Sequence, residues 1–379
     1  MKKIASAIWE YCKATDKLLW LFCLSASAFS LVLLSSMQYN HAVEPGDISM
    51  PIQTIAVLLG IISALVVSAF DYHLLAKLWK LHVPLTVFLV LLTYTPLGIT
   101  PSGTKNKAWL SLFGITTFQP SELLKISFIL TFALHLSKIK GKINSPRNLF
   151  PLILHGMIPI GMILLQRDVG SALVFGAIFV MMLFVAGLSW KIVIASLGAV
   201  IVAAPIVWQS DLLNEFQKQR ILVIFNPELD LLNYGYQQWR GRISLGSGQL
   251  FGRGLFTGSS SFVPVVHNDF IFAYIGQVLG FVGCVATAAL LLCICIRILV
   301  NSMRAKDALG CYICTGVFAI MIFQSVVNIG MVLCVMPVIG VTLPFISCGG
   351  TSVVTMYLAM GLVMSVHAYS KRKKKFFED

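Results

Sequence analysis

The chain has 379 residues, of which 58% are hydrophobic and 11% are charged, whereas a typical soluble domain carries about 25% charged residues. This composition excludes an ordinary water-soluble enzyme, and it also excludes intrinsic disorder, which requires low hydrophobicity and high charge. The 28 Lys and Arg residues outnumber the 15 Asp and Glu residues, for a net charge of +13. A basic balance indicates nucleic-acid binding only where the cations form a patch on a folded soluble surface, so their positions decide what the charge means.

Ten apolar segments follow one another along the chain and predict an all-α polytopic membrane protein. Each is long enough, or nearly so, for a tilted helix to cross about 30 Å of hydrocarbon at about 1.5 Å per residue. We expect transmembrane helices at residues 17–36, 50–70, 82–99, 121–136, 149–166, 171–188, 192–208, 270–296, 308–327 and 351–369. About ten helices in a single membrane domain, 1–379, place both termini on one side of the membrane.

The loops between these segments differ in their content of Lys and Arg. The side that holds both termini carries 19 of these residues, the other side carries eight, and Lys125 lies within a segment. Because cytoplasmic loops hold an excess of Lys and Arg, both termini are predicted to be cytoplasmic. Most of the cations then meet the anionic head groups of membrane lipids, and nucleic acid is not an expected partner.

Two stretches differ from the regular pattern of helix and short loop. Residues 209–269 form one large extracytoplasmic loop, rich in Gly. A loop of this length is usually functional or disordered. Its Gly content indicates tight turns and close backbone approach, which favours a function. Residues 328–350 are apolar but contain two Pro and four Gly. Non-helical backbone at membrane depth is tolerated only beside protein or a watery cavity. We therefore expect a re-entrant or surface-hugging segment on the outer side.

Ionisable residues at membrane depth are costly and indicate functional sites. Glu122 and Lys125 lie on one face of the helix that starts at Pro120, because residues three apart are neighbours. They form either a buried pair that fixes packing, or a site in which Lys125 faces a polar cavity and offers its charge to an anionic ligand. Asp168 and its neighbour Arg167 lie between two spans, where their side chains diverge toward separate partners or mark an interfacial turn.

Asp269 lies where the large loop passes into an apolar helix. It is either a plain N-cap or, if it faces a cavity, a general base; His267, two residues earlier, is expected to be solvated. Arg240 and Arg242 flank Gly241 in the same loop. Guanidinium groups suit phosphate oxygens, so these two residues bind an anionic lipid head group or pyrophosphate, or they form a rim that faces the head groups.

Five stretches, in this order, resemble the SEDS proteins (shape, elongation, division and sporulation) of bacterial cell-wall synthesis. They are KNKAWLSLFGITTFQPSE at 105–122, QRDVG at 166–170, GYQQWRGRISLGSGQLFGRGLFTG at 235–258, HNDFIFAYIGQVLGFVG at 267–283 and NIGMVLCVMPVIGVTLPFISCGGTS at 328–352. The resemblance covers nearly the whole chain. The NIGM stretch, the FQPSE form and the short termini look more like RodA, the elongation member, than like FtsW, the division member.

The resemblance implies a peptidoglycan glycosyltransferase of the bacterial cytoplasmic membrane. Such proteins polymerise lipid II, an undecaprenyl-pyrophosphate disaccharide-pentapeptide, on the outer face, together with a class B penicillin-binding protein that acts as transpeptidase. By resemblance the critical aspartate is Asp269, the QPSExxK pair is Glu122 and Lys125, the Q-x-D-x-G aspartate is Asp168, and Trp109 is the aromatic residue before them.

The chain departs from the family pattern near Asp269. Val265 follows Pro264 where the family usually has Glu, and Gln277-Val278 stands where it usually has two Glu residues. Asp269 itself is kept, which favours an active enzyme. The missing carboxylates leave open a specialised division or sporulation paralogue, or a scaffold with a decayed site. A lipid-linked precursor flippase or transporter is the alternative that the spans and internal charges also suit.

The expected chemistry is an inverting glycosyl transfer in which Asp269 takes the proton of the acceptor's 4-hydroxyl. Lys125, Arg167, Arg240 and Arg242 would balance the charge of the pyrophosphate, and Glu122 would hold Lys125. A divalent cation, Mg or Mn, is a possible further requirement.

Overall fold

The computed structural model describes residues 15–100, 106–112, 116–139, 141–210, 215–225, 235–258, 260–261 and 263–374. In these residues the helices are α1 (Lys17–Tyr39), α2 (Met50–Ala69), α3 (Tyr72–Lys77), α4 (Trp79–Leu92), α5 (Pro120–Ile139), α6 (Pro146–Leu165), α7 (Val169–Val185), α8 (Trp190–Gln209), α9 (Glu215–Phe225), α10 (Tyr236–Ser247), α11 (Ile271–Met303), α12 (Ala308–Val332) and α13 (Gly350–Lys374). The strands are β1 (Gly98–Ile99), β2 (Trp109–Leu112) and β3 (Thr116–Phe118).

Each of the ten apolar segments contains a helix, which confirms the all-α polytopic membrane architecture. Among the described residues, six helices are long and apolar enough to cross a membrane, namely α1, α2, α6, α11, α12 and α13. Three more, α4, α7 and part of α8, are apolar but shorter, and α5 contains Glu122 and Lys125. The count of ten crossings therefore stays a prediction, as does the division into a single domain.

The segment expected as a helix over 82–99 ends earlier, at Leu92, and a small antiparallel sheet follows. The hydroxyls of Thr93 and Thr95 turn back to the carbonyls of Val90 and Leu92, and Pro96 has no N–H with which to continue a helix. The three strands pair in the order β1–β2–β3, with Ile99 opposite Trp109. This sheet contains all the β-strands in the described residues.

The last two helices form the centre of the bundle. In their most apolar stretches α12 is 67% buried and α13 78%, compared with 22% for α6. Small residues allow the closest approach: Gly361 of α13 lies against Ala64 of α2, where a Cβ would stand 2.8 Å from the Ala64 carbonyl oxygen. The helices α5, α7, α11 and α13 all begin, and α12 ends, at one end of the bundle, which we call the site end.

The large loop contains two helices and a stretch that packs into α11. Residues 211–214, 226–234, 259 and 262 lie outside the described part, but the rest contains α9 and α10. Its stretch from Gly248 to Gly254 packs into a break in α11 at Gly280, where φ is 66°.

Two pairs of backbone hydrogen bonds join the loop to this break. The N–H groups of Arg253 and Gly254 donate to the carbonyls of Gln277 and Val278, at 2.9 and 3.0 Å. In return, the N–H groups of Phe281 and Val282 donate to Gln249 and Leu250, at 2.8 and 3.1 Å. The loop thus satisfies the backbone groups that the break releases, as polar groups in a membrane require.

Candidate active site

Asp269 lies in the segment that leads into α11. The main chain around it is fixed on one side: the N–H of Cys348 donates to His267 O at 2.8 Å and the Ser347 hydroxyl donates to Asn268 O at 2.5 Å. Asn328 Nδ2 donates to Asp269 O at 2.9 Å. The helix N-cap is Phe270, without a side-chain cap, so the N-cap alternative for Asp269 is wrong.

The loop between α12 and α13 is irregular from residue 333 to 349 and contacts several candidate residues. Arg220 Nη1 donates to Val338 O at 2.8 Å, and Asn328 Nδ2 donates to Val341 O at 2.7 Å. A Cβ on Gly340, which has a φ of 72°, would stand 3.6 Å from Asp269 Oδ2. The segment 338–341 therefore joins α9, α12 and the carboxylate.

The start of α7 meets the same segment from another side. Gly170 lies so close to Ile339 that a Cβ would collide with the carbonyl oxygen of Ile339. Asp168 caps α7 through Ser171 N–H at 3.0 Å, and its second oxygen accepts from Gln119 Nε2 at 2.9 Å. Gln119, just before α5, thereby ties the start of α5 to the start of α7.

The electrostatic environment of Asp269 follows from this packing. The side chain is half-buried, and burial raises the pKa of Asp269 to about 6, opposed by the positive charge of Arg220 and reinforced by the negative charge of Asp168. Burial also lowers the pKa of the Arg220 guanidinium, while Asp269 acts to raise it. A carboxylate with this pKa is ionised at neutral pH and is a stronger base than an ordinary aspartate.

Glu122 and Lys125 form an ion pair within α5. Lys125 Nζ is 2.7 Å from Glu122 Oε1, and the two residues are 1% and 5% exposed. In the described residues Glu122 Oε2 has no hydrogen-bond partner. This geometry is that of the buried pair; a role of the two residues in binding a ligand stays a prediction.

The remaining predicted residues surround the site end. Arg167 is exposed in a left-handed turn with a φ of 63°, while Asp168 is buried, so the two side chains diverge as expected. Trp109 is half-buried on β2, close to where Lys107 N–H donates to Gln166 O at 3.3 Å. Whether Arg167 or Trp109 contacts a substrate stays a prediction.

The helix α10 packs beside Asp269 and carries two of the arginines of the large loop, Arg240 and Arg242. A Cβ on Gly241 would stand 2.8 Å from the ring of Phe270, the residue after Asp269. Arg240, half-buried, and Arg242, exposed, flank this contact. Two residues on one helix that are two positions apart point in different directions, so they do not form a single clamp.

Three residues of the site were not predicted from sequence: Arg220, Gln119 and Asn328. Nothing local marks Arg220 among the loop cations. Asn328 carries a signal, because a polar amide inside an apolar run needs partners at membrane depth. Gln119 belongs to the FQPSE motif, in which the charge of Glu122 is the stronger signal.

A divalent cation was a possible requirement, and the described side chains do not form a cage for one. No group of three His, Cys, Asp or Glu residues in the described part of the chain is arranged to hold a metal ion. Both oxygens of Asp168 already accept hydrogen bonds.

The bundle and its acidic site define a multi-pass membrane protein with a half-buried carboxylate at one end of its helices. A family model described as cell cycle protein, FtsW/RodA/SpoVE, matches residues 16–372. The chain therefore belongs to the FtsW/RodA/SpoVE family, as its motifs indicated.

Curated relatives and solved structures agree with this membership. The chain is 33% identical over 302 residues to the peptidoglycan glycosyltransferase MrdB of Escherichia coli K12, covering 78% of this chain and 80% of the relative. It is 30% identical over 366 residues to a probable peptidoglycan glycosyltransferase FtsW of Geobacter metallireducens, covering 94% and 95%.

Two solved structures share the fold. A chain from a peptidoglycan synthase complex, studied for its coordination of polymerisation and crosslinking, has a TM-score of 0.80 at 26% identity and covers 96% of this chain and 99% of its own. The rod shape determining protein RodA of Thermus thermophilus has a TM-score of 0.69 at 25% identity, covering 96% and 98%.

Proposed function

We propose that this chain is a peptidoglycan glycosyltransferase that polymerises lipid II at the site end of its helix bundle, with Asp269 as general base. The observation that carries the assignment is the environment of Asp269, a half-buried carboxylate with a raised pKa, held by its main chain and close to Arg220. A scaffold with a decayed site has no need of such a carboxylate.

The reaction follows from the charge and position of Asp269. The acceptor's 4-hydroxyl oxygen attacks the anomeric carbon of the donor, the bond from that carbon to the pyrophosphate oxygen breaks, and undecaprenyl pyrophosphate leaves. The proton of the hydroxyl passes to Asp269. The α-linked donor becomes a β-1,4 link, so one base and a stabilised leaving group suffice.

The cations of the site end are suited to an anionic, lipid-linked substrate. Arg240 and Arg242 flank the contact between α10 and Phe270, and Arg167 is exposed beside Asp168. Fixed cations near a leaving pyrophosphate stabilise the charge that develops in the transition state. These three residues are the proposed contacts to the pyrophosphate, and Lys125 joins them only if the bundle opens toward its buried pair.

Replacing Asp269 with Asn tests the base. We expect Asp269→Asn to reduce polymerisation of labelled lipid II by the purified protein by about 10²- to 10⁴-fold, the usual contribution of a general base. The wild-type rate should fall as pH drops through about 6, because protonation removes the base.

The matched control is Asp71→Asn, which removes an exposed carboxylate at the opposite end of the bundle and should leave the rate unchanged. Polymerisation by Asp269→Asn at the wild-type rate would contradict the assignment of Asp269 as general base. Lipid II movement across vesicles without any polymer would favour a flippase instead.

A partner and a metal requirement complete the proposal. A class B penicillin-binding protein is the proposed transpeptidase partner, supported by the fold shared with a chain of a peptidoglycan synthase complex; co-purification of the two proteins tests it. The possible need for Mg or Mn is tested by chelation followed by addition of each ion, and an unchanged rate after chelation would contradict it.

A further inference from the structure

Arg220 is a half-buried cation on α9, a helix that the sequence did not reveal. Its Nη1 donates to Val338 O at 2.8 Å, and Val338 is itself buried. A guanidinium loses much of its hydration in such a place, so a fixed acceptor and a nearby negative charge are needed to keep it there. The carbonyl of Val338 supplies the first of these.

Asp269 supplies the negative charge. Gly340, two residues after the carbonyl that Arg220 binds, is the residue that lies against Asp269 Oδ2. Two residues of chain span at most about 7 Å. The same short stretch of backbone therefore contacts the Arg220 guanidinium at Val338 and the Asp269 carboxylate at Gly340. The 338–341 segment acts as the spacer between them.

Asp168 is the third charge in this space. It enters from the start of α7, where Gly170 packs on Ile339, and its negative charge acts on Asp269 in the opposite sense to Arg220. Without Arg220, the positive charge that acts on Asp269 is lost while the negative charge of Asp168 remains. Like charges in a region of low dielectric cannot both stay ionised cheaply, and one takes up a proton.

We infer that Arg220 is a positioning residue of the transfer reaction: it anchors the 338–341 segment against Asp269 and keeps the Asp269 carboxylate ionised beside Asp168. This inference rests on the proposed role of Asp269 as base. It gives the large loop a defined task, because α9 brings to the site a positive charge from outside the predicted transmembrane segments.

The test is the pH profile of lipid II polymerisation by the full-length protein. Arg220→Gln removes the charge that favours ionised Asp269, so the pH at which half of the maximal rate is reached should move upward by about one unit. Activity lost at pH 7 should return above pH 8. Arg220→Lys, which keeps the charge, should retain most of the wild-type profile.

The matched control is Arg253→Gln, which removes an exposed cation from the same loop, one whose Nε donates to Ser247 O; its profile should coincide with wild type. Thermal unfolding in detergent identifies any variant that fails to fold. If the polymerisation rate of a folded Arg220→Gln protein fell by the same factor at every pH, and the acid limb of its pH–rate profile stayed at the wild-type pH, the inference would be overturned.

Asp269→Asn separates this inference from the proposed function. If Asp269→Asn is inactive at every pH while Arg220→Gln leaves the acid limb in place, the base assignment stands and the role of Arg220 fails. If Asp269→Asn retains the wild-type rate and the acid limb of the pH–rate profile, Asp269 is not the base, and the inference about Arg220 fails with it.

Discussion

Asp269 and Glu122 each lie close to a cation, and their surroundings differ. Asp269 is half-buried and its nearest charges come from α9 and the start of α7. Glu122 is 5% exposed and pairs within its own helix with Lys125. Because the Asp269 side chain is partly exposed and the Glu122 side chain is buried, we place the chemistry at Asp269 and expect Glu122 to act in packing.

Breaking the Glu122–Lys125 pair should destabilise the bundle. Lys125→Met leaves Glu122 buried without its cation, and removal of one partner of a buried pair costs about 3–5 kcal/mol. The double variant Glu122→Gln/Lys125→Met should recover much of that loss, because no unpaired charge remains. Thermal unfolding of the purified protein in detergent measures both.

The same double variant decides whether the pair also binds substrate. A folded double variant with wild-type polymerisation would leave the pair a purely structural role. Lost activity in a protein of wild-type stability would instead support the ligand-binding role that the sequence left open.

At the residue scale, the sequence revealed the carboxylates more readily than their partners. Asp168 and Asp269 interrupt apolar sequence, so the cost of charge at membrane depth identifies them. Arg220 is one of five cations in a polar loop, and its contact with Val338 depends on how α9 folds back. No local pattern encodes such a contact.

At the scale of elements, the break in α11 is the feature that hydropathy could not show. Gly280 lies inside a continuous apolar run, and the loop residues that fill the break are distant in sequence. Repeated Gly in the loop indicated close backbone approach, which Gly248 and Gly252 confirm: a Cβ on either would collide with backbone atoms of residues 276–278.

Replacing Gly280 with Ala should destabilise the protein. Gly280 has a φ of 66° and a ψ of −162°, a conformation that is essentially restricted to glycine and costs other residues about 1–3 kcal/mol. The new Cβ would also collide with the backbone of Leu250 and Gly252. We expect the loop to leave the break, with a loss of about 2 kcal/mol or more and reduced polymerisation, because the loop also carries α10 to the site. Thermal unfolding and the lipid II assay measure these effects.

The matched control is Gly176→Ala in α7, where nothing lies within 4 Å of the added Cβ. Ala is favoured over Gly in a helix, so this variant should be neutral or slightly stabilised. Equal stability of the Gly280 and Gly176 variants would show that the break tolerates a side chain.

At the scale of the whole molecule, hydropathy predicted which segments form apolar helices. It did not predict which of these helices pack against one another. All ten apolar segments contain helices, because burial in lipid depends on composition alone. The short strands β1–β3 were missed, since runs of two to four residues leave no periodicity. The central position of α12 and α13 was also not predicted, because their composition resembles that of the lipid-facing helices.

The distribution of Lys and Arg predicts the orientation of the molecule. With 19 cations on the side of the termini and eight opposite, a C-terminal fusion to green fluorescent protein should fluoresce, and a C-terminal alkaline phosphatase fusion should be inactive. A phosphatase fused after Pro45, between α1 and α2, should be active. The reverse pattern would place the site end in the cytoplasm and exclude surface polymerisation.

The junction between the loop and α11 also constrains how this chain can vary in length. Gln249 and Leu250 form hydrogen bonds on one side of the break, and Arg253 and Gly254 form hydrogen bonds on the other. The number of residues between the two pairs is therefore fixed at two. With one residue inserted or deleted there, the two pairs of hydrogen bonds could not form at the same time. We expect related chains to gain or lose residues before Tyr236 and to keep one invariant length from Gln249 to Gly254.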